Sequence, residues 1–156
     1  MATVELSFTA LPAHVRTARL VATAVARRSG VDESLLDEVR LAVGEACSRA
    51  VEGHQLYCPA EPVRLALTDQ AGRFEVEVTD TCAPGARWPG SPGGGEGARG
   101  GDSNPAGSHP GEEAYSRIGA GLGIAVIEGL ADDVQISETS AGTSIRMSWP
   151  LPEAVR

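Results

Sequence analysis

The chain has 156 residues, enough for one domain with a real core. Its formal charge of −8 and pI near 4.8 argue against nucleic acid and anionic membranes as partners, since both are held by clustered positive charge. What remains is a protein partner, or a nucleotide held by local backbone donors. Apolar residues make up 42% and aromatics only 4%, so the core is expected to be built from Ala, Val, Leu and Ile. No apolar run reaches the ~18 residues of a membrane helix, and the N-terminus lacks a signal-peptide pattern. A cytoplasmic location is the expectation.

In chain order, Thr3–Phe8 alternates, with Val4, Leu6 and Phe8 on one side, and reads as a half-buried strand. Leu11–Pro12 breaks it. Ala13–Ser29 carries Val15, Ala18, Val21, Ala22 and Val25 at helical spacing and ends at Gly30. A second helix is expected over Asp32–Gly53, with Asp32 as N-cap, Val31 and Leu36 as a hydrophobic staple, and Gly53 as C-cap. Its apolar stripe runs through Leu35, Leu36, Val39, Ala42, Val43, Ala46, Cys47 and Ala50. His54–Glu61 reads as a loop. Val63, Leu65 and Leu67, then Phe74, Val76 and Val78, form the buried rows of a hairpin around a turn at Asp69–Gly72.

Gly85–Gly111 differs in kind, with ten glycines and four prolines in 27 residues. It has too little apolar surface to offset the entropy of ordering it, and a flexible loop over 85–112 is expected, with Trp88 as its one large anchor. Ala120–Leu130 turns from glycine-rich to apolar helix. Val134–Ser137 and Thr143–Trp149 are the last strands, and 151–156 form a tail. The fold class implied is α+β: a two-layer sandwich with one mixed, mainly antiparallel sheet covered by helices on one face, all within residues 1–150.

Three local signals bear on chemistry. Glu45 and Arg49 share a helix face, as a surface ion pair or as a base beside a pocket. Gly119, Gly121 and Gly123 precede a helix, as an anion-binding turn or as a hinge. Asp80 ends a strand, as an ordinary terminal acid or as the acceptor for a purine amino group. Thr143 follows Gly142, offering a hydroxyl to the same pocket or simply starting a strand. Cys47, Cys58 and Cys82 are an odd count without a close pair or zinc spacing. Cys47 on the apolar stripe reads as a small buried hydrophobe, and neither a disulfide nor a metal ligand is expected.

Taken together, LAVGEACSRAV around Glu45, the strand-ending Asp80, Gly119–Ile124 and Gly142–Thr143 resemble the ATP-binding anti-sigma factors and serine-protein kinases of bacterial partner switching, the RsbW type. These belong to the superfamily of histidine-kinase catalytic domains and gyrase. The resemblance implies Glu45 as catalytic base, Asp80 reading adenine, and Gly85, Gly119, Gly121, Leu122, Gly123 and Thr143 around the nucleotide, with loop 85–112 as the ATP lid. It also sets Arg49 where the family has a magnesium-ligating Asn. A guanidinium has only N–H donors and cannot ligate Mg²⁺, although it can contact phosphate. Cys82 stands where the family has glycine, and Pro84 removes a backbone donor. The resemblance therefore implies a regulator that acts by binding a sigma factor, an anti-anti-sigma antagonist or both, as a monomer or homodimer. ATP is expected to bind weakly or not at all, with no metal ligand identified. The alternative is an active Mg-ATP serine kinase acting on the antagonist.

Overall fold

A computed structural model describes residues 2–82, 123–139 and 142–153. Strand β1, Ala2–Phe8, leads into helix α1, Pro12–Ser29. Pro12 occupies the first turn, where its missing N–H costs nothing, and Gly30 closes the helix at φ 94°, its N–H reaching Ala26 and Arg27 carbonyls. Arg27 and Arg28 lie in that last turn, favourable to the helix dipole.

Asp32 does act as a cap, but of a 3-10 turn over Glu33–Leu35. Its carboxylate accepts from the Ser34 N–H at 2.9 Å and from the Ser34 hydroxyl at 2.6 Å. Helix α2 then runs Leu36–Tyr57. Val31 and Leu36 are both buried, as staple residues should be. The expected stop at Gly53 is overturned: Gly53 and His54 are buried inside the helix, which continues one further turn. A glycine costs a helix only about 1 kcal/mol, and the burial of Gly53 and His54 against the core offsets it, although Leu56 and Tyr57 of the added turn are exposed.

Strands β2, Val63–Gln70, and β3, Arg73–Thr79, form the hairpin. Their turn is narrower than Asp69–Gly72: Ala71 at φ 52° and Gly72 at φ 73° form the two-residue primed turn that matches strand twist. Residues 123–130 are helical and are named α3. Strands β4, Asp133–Thr139, and β5, Gly142–Pro150, complete the sheet in the order β1-β2-β3-β5-β4. Every described pairing is antiparallel, within the α+β two-layer class expected.

The core lies between sheet and helices. Leu65, Leu67, Phe74, Val76, Val78, Met147 and Trp149 point inward to meet Val39, Val43, Ala46 and Cys47 of α2. Each fully buried Val or Leu contributes about 1.5–3 kcal/mol. Helix α1 buries Val15, Ala18, Ala22 and Ala26, a small-residue face that lets it lie close to α2. Trp149 donates its indole N–H to the Leu130 carbonyl at 3.1 Å, fastening the end of α3 to β5. Val4 is 41% exposed, so β1, at the edge of the sheet, alternates less cleanly than its sequence. No helix among the described residues is long and apolar enough to cross a membrane.

On the outer face, Glu77 and Arg146 sit directly opposite across β3 and β5. Burial alone would raise the Glu77 pKa, but the Ser144 hydroxyl at 2.8 Å and the Arg146 guanidinium at 2.9 Å hold it below the usual range. A lowered carboxylate pKa stabilises the fold at neutral pH and stops doing so as pH falls through the folded value. Glu77→Gln is expected to cost under about 1 kcal/mol at pH 7, since the pair is partly solvated. Urea denaturation should show the difference shrinking below the ordinary glutamate value, about pH 4.3.

Candidate functional site

The sequence-derived residues fall in two groups along α2. In the first, Glu45 and Arg49 lie one turn apart and meet the start of α3. A Cβ placed on Gly123 would come 2.5 Å from Glu45 Oε1 and 2.9 Å from Arg49 Nη1, so a side chain there would have to displace the ends of both. Arg49 is not a solvated partner of Glu45. It is 4% exposed, and burial lowers its pKa while Glu45 and Glu52 act in the opposite sense. A guanidinium nonetheless stays charged at neutral pH.

The second group is about 14 Å further along α2, at its C-terminal turn. Asp80, just past β3, is buried, and its N–H donates to the Thr143 carbonyl at 2.8 Å. Gly142 lies against the Asp80 backbone at φ 133°; any Cβ there would overlap the Asp80 carbonyl. The structure thus brings Asp80, Gly142 and Thr143 together at the mouth of β3 and β5. Gly85, Gly119, Gly121 and Leu122, like the loop 85–112 with Trp88, lie outside the described residues.

Sequence reasoning missed the groups that face Asp80. His54, wholly buried on α2, sets its Nε2 3.1 Å from Asp80 Oδ1. The same oxygen accepts the Cys82 N–H at 2.7 Å, closing a tight turn. Cys58, the C-cap of α2 four residues after His54, is joined to Cys82 by a disulfide. The expectation of no disulfide is therefore corrected: 24 residues separate the two cysteines, but their Cα atoms are 5.7 Å apart. The extra turn of α2 carries Cys58 to the strand end, which the loop expected at His54–Glu61 would not. The signal was present as His54-x₃-Cys58 at the end of the helix and Asp80-x-Cys82 just past the strand. Their four ligand atoms lie within 4.8 Å of one another. Cys47 stays apart, buried and with its thiol pushed up to about 12 by desolvation.

Bracing is dense around this turn. His54 Nδ1 lies 2.8 Å from the Glu61 carbonyl, Thr81 donates its N–H to His54 Nε2 at 3.2 Å, and the Thr81 hydroxyl donates to the Pro62 carbonyl at 2.8 Å.

Gly142→Ala is expected to destabilise by roughly 2–4 kcal/mol, combining a strained positive φ with backbone overlap, measurable as a lowered urea midpoint. Reducing Cys58–Cys82 in metal-free buffer is expected to cost about 3.5 kcal/mol by loop entropy. Thiol titration should find no reactive thiol in the unreduced native protein and one, Cys47, after denaturation.

Comparisons with known proteins bear on this geometry. The histidine kinase-like ATPase domain profile matches residues 8–149. No curated protein matches the chain. Among solved structures, the chain is similar in fold to the RsbU and RsbW domains of Rv1364c from Mycobacterium tuberculosis, at 18% identity and a TM-score of 0.62. That match covers 100% of this chain and 34% of the other, so this chain spans about a third of its length. With the family profile covering nearly all of it, the chain belongs to the histidine kinase-like ATPase domain family.

Proposed function

We propose that this protein is a partner-switching regulator that works by binding other proteins, with ATP binding and phosphoryl transfer weak or lost. Its partners are a sigma factor, an anti-anti-sigma antagonist, or both. The reading draws on the RsbW domain named in the similar structure and on the motifs around Glu45, Asp80, Gly123 and Gly142–Thr143.

The observation that carries the loss of catalysis is Arg49. Phosphoryl transfer depends on metal positioning and on stabilising developing charge. At the position where the resemblance requires a metal-ligating Asn, this chain has a buried guanidinium packed at Gly123 beside Glu45. It offers no lone pair and repels a divalent cation. Asp80, the residue assigned to adenine, is turned toward His54 and the Cys82 N–H, within a strand end tied to α2. The active-kinase reading rests on Glu45, which remains half-buried beside Gly123 and retains the chemistry of a base.

Calorimetry with Mg-ATP tests the two readings. The expected result is no saturable binding below about 1 mM, an affinity no stronger than about −4 kcal/mol. A purified sigma factor or antagonist from the same genome should bind at micromolar strength or better without nucleotide. Micromolar Mg-ATP binding, with labelled phosphate appearing on an antagonist serine, would overturn the binding-only reading.

A further inference from the structure

We propose that, with Cys58 and Cys82 reduced, His54, Cys58, Asp80 and Cys82 form a tetrahedral site for a borderline-soft divalent cation, Zn²⁺ in the first place. This goes beyond the regulatory reading and stands whether or not that reading holds.

As a metal ligand the His54 imidazole has to be neutral, with one ring proton and one lone pair to place. The Glu61 carbonyl can only accept, so Nδ1 carries the ring proton; the Thr81 N–H can only donate, so Nε2 is the acceptor. Nε2 and Asp80 Oδ1, 3.1 Å apart, are then aimed at one point, which a proton on Nε2 or a cation can occupy. A cation bound by both takes the place that a proton would hold. Around a tetrahedral zinc with Zn–N and Zn–O near 2.0 Å, the N···O edge is about 3.3 Å, close to the separation present. The Nδ1–H bond to a backbone carbonyl is the outer-shell contact that orients a ligating imidazole.

The two sulfurs complete the set. All four ligand atoms lie within 4.8 Å of one another, and none of the four residues is exposed. His54 lies in the last turn of α2 and Cys58 is its C-cap, while Asp80 and Cys82 flank the tight turn just past β3. The helix end and the strand end bring the two pairs together. Two thiolates, an imidazole and a carboxylate favour Zn²⁺ over Mg²⁺ or Ca²⁺, which prefer all-oxygen shells. This also separates the site from any magnesium bound with nucleotide.

Metal and disulfide exclude each other, because they use the same sulfurs. In a reducing compartment the thiols predominate. In vitro a phosphine reductant opens the bond: phosphine, disulfide and water give phosphine oxide and two thiols. Binding Zn²⁺ then releases the two thiol protons, and the sulfurs part to about 3.8 Å, the S···S edge of a tetrahedral site. The 3.2 Å bond from the Thr81 N–H to Nε2 is given up, since the metal takes that lone pair.

The test uses the full chain, reduced with phosphine under anaerobic conditions and titrated with Co²⁺ as a spectroscopic substitute. The expected result is one equivalent bound, with the intense visible bands of tetrahedral cobalt and near-ultraviolet thiolate charge transfer, displaced by Zn²⁺. Re-oxidation to the disulfide should release the metal. Cys47→Ser should leave the spectrum unchanged, while Cys58→Ser and His54→Gln should each weaken binding at least tenfold. A reduced wild-type protein showing only weak, octahedral cobalt bands would overturn the proposal without any variant having to fold. So would a spectrum lost in Cys47→Ser but retained in the Cys58→Ser, Cys82→Ser double variant.

Discussion

Burial of one face of α2 against an antiparallel sheet is the constraint on which the other features depend. The face is made of Val39, Ala42, Val43, Ala46, Cys47, Ala50 and Val51, all at or near zero exposure. Past Gly53 the helix continues with His54 buried and bonded to the Glu61 carbonyl, and its C-cap Cys58 joined to Cys82. Glu45 and Arg49 are thereby set against α3, and His54 and Cys58 against the end of β3. The two groups of polar residues are fixed by one apolar stripe.

Polar groups buried at the edge of such a core must be satisfied, and the C-terminal turn of α2 shows how. His54 is bonded at both ring nitrogens, and the Asp80 carboxylate accepts a backbone N–H two residues on. Gly142 supplies the close approach that lets β5 pass over Asp80. In this arrangement the aspartate that the family resemblance assigns to a ligand is also a structural member of the helix–strand junction. A residue so engaged is poorly placed to reorganise around a nucleotide without cost.

The same geometry joins redox state to structure. A disulfide and a cation are alternative ways of holding α2 to β3, one covalent and one coordinate, through the same two sulfurs. Cys47 takes no part, since its thiol is buried in the core and its pKa is too high for thiolate chemistry at neutral pH. The distinction among the three cysteines is thus one of environment, not of residue type.

Much of the fold was legible in the sequence because its signals are local. Alternation in Val63–Leu67 and Phe74–Val78, the Ala/Val stripe of α1, Gly30 and the Asp32 cap each depend on neighbours a few residues away. Local order failed at Gly53, where glycine suggested a stop and tertiary packing carried the helix on to Tyr57. It failed again at Val4, where alternation predicted burial and an edge position left the side chain exposed. Of the candidate site, the sequence by itself marked Glu45, Asp80, Gly123 and Gly142–Thr143, and the resemblance set Arg49 where the family has a metal-ligating Asn. Only the tertiary structure decided that Arg49 is buried, that His54 faces Asp80, and that Cys58 meets Cys82. The reason is physical: a pairing across 24 residues depends on where a helix ends relative to a strand, and packing of the whole core sets that end.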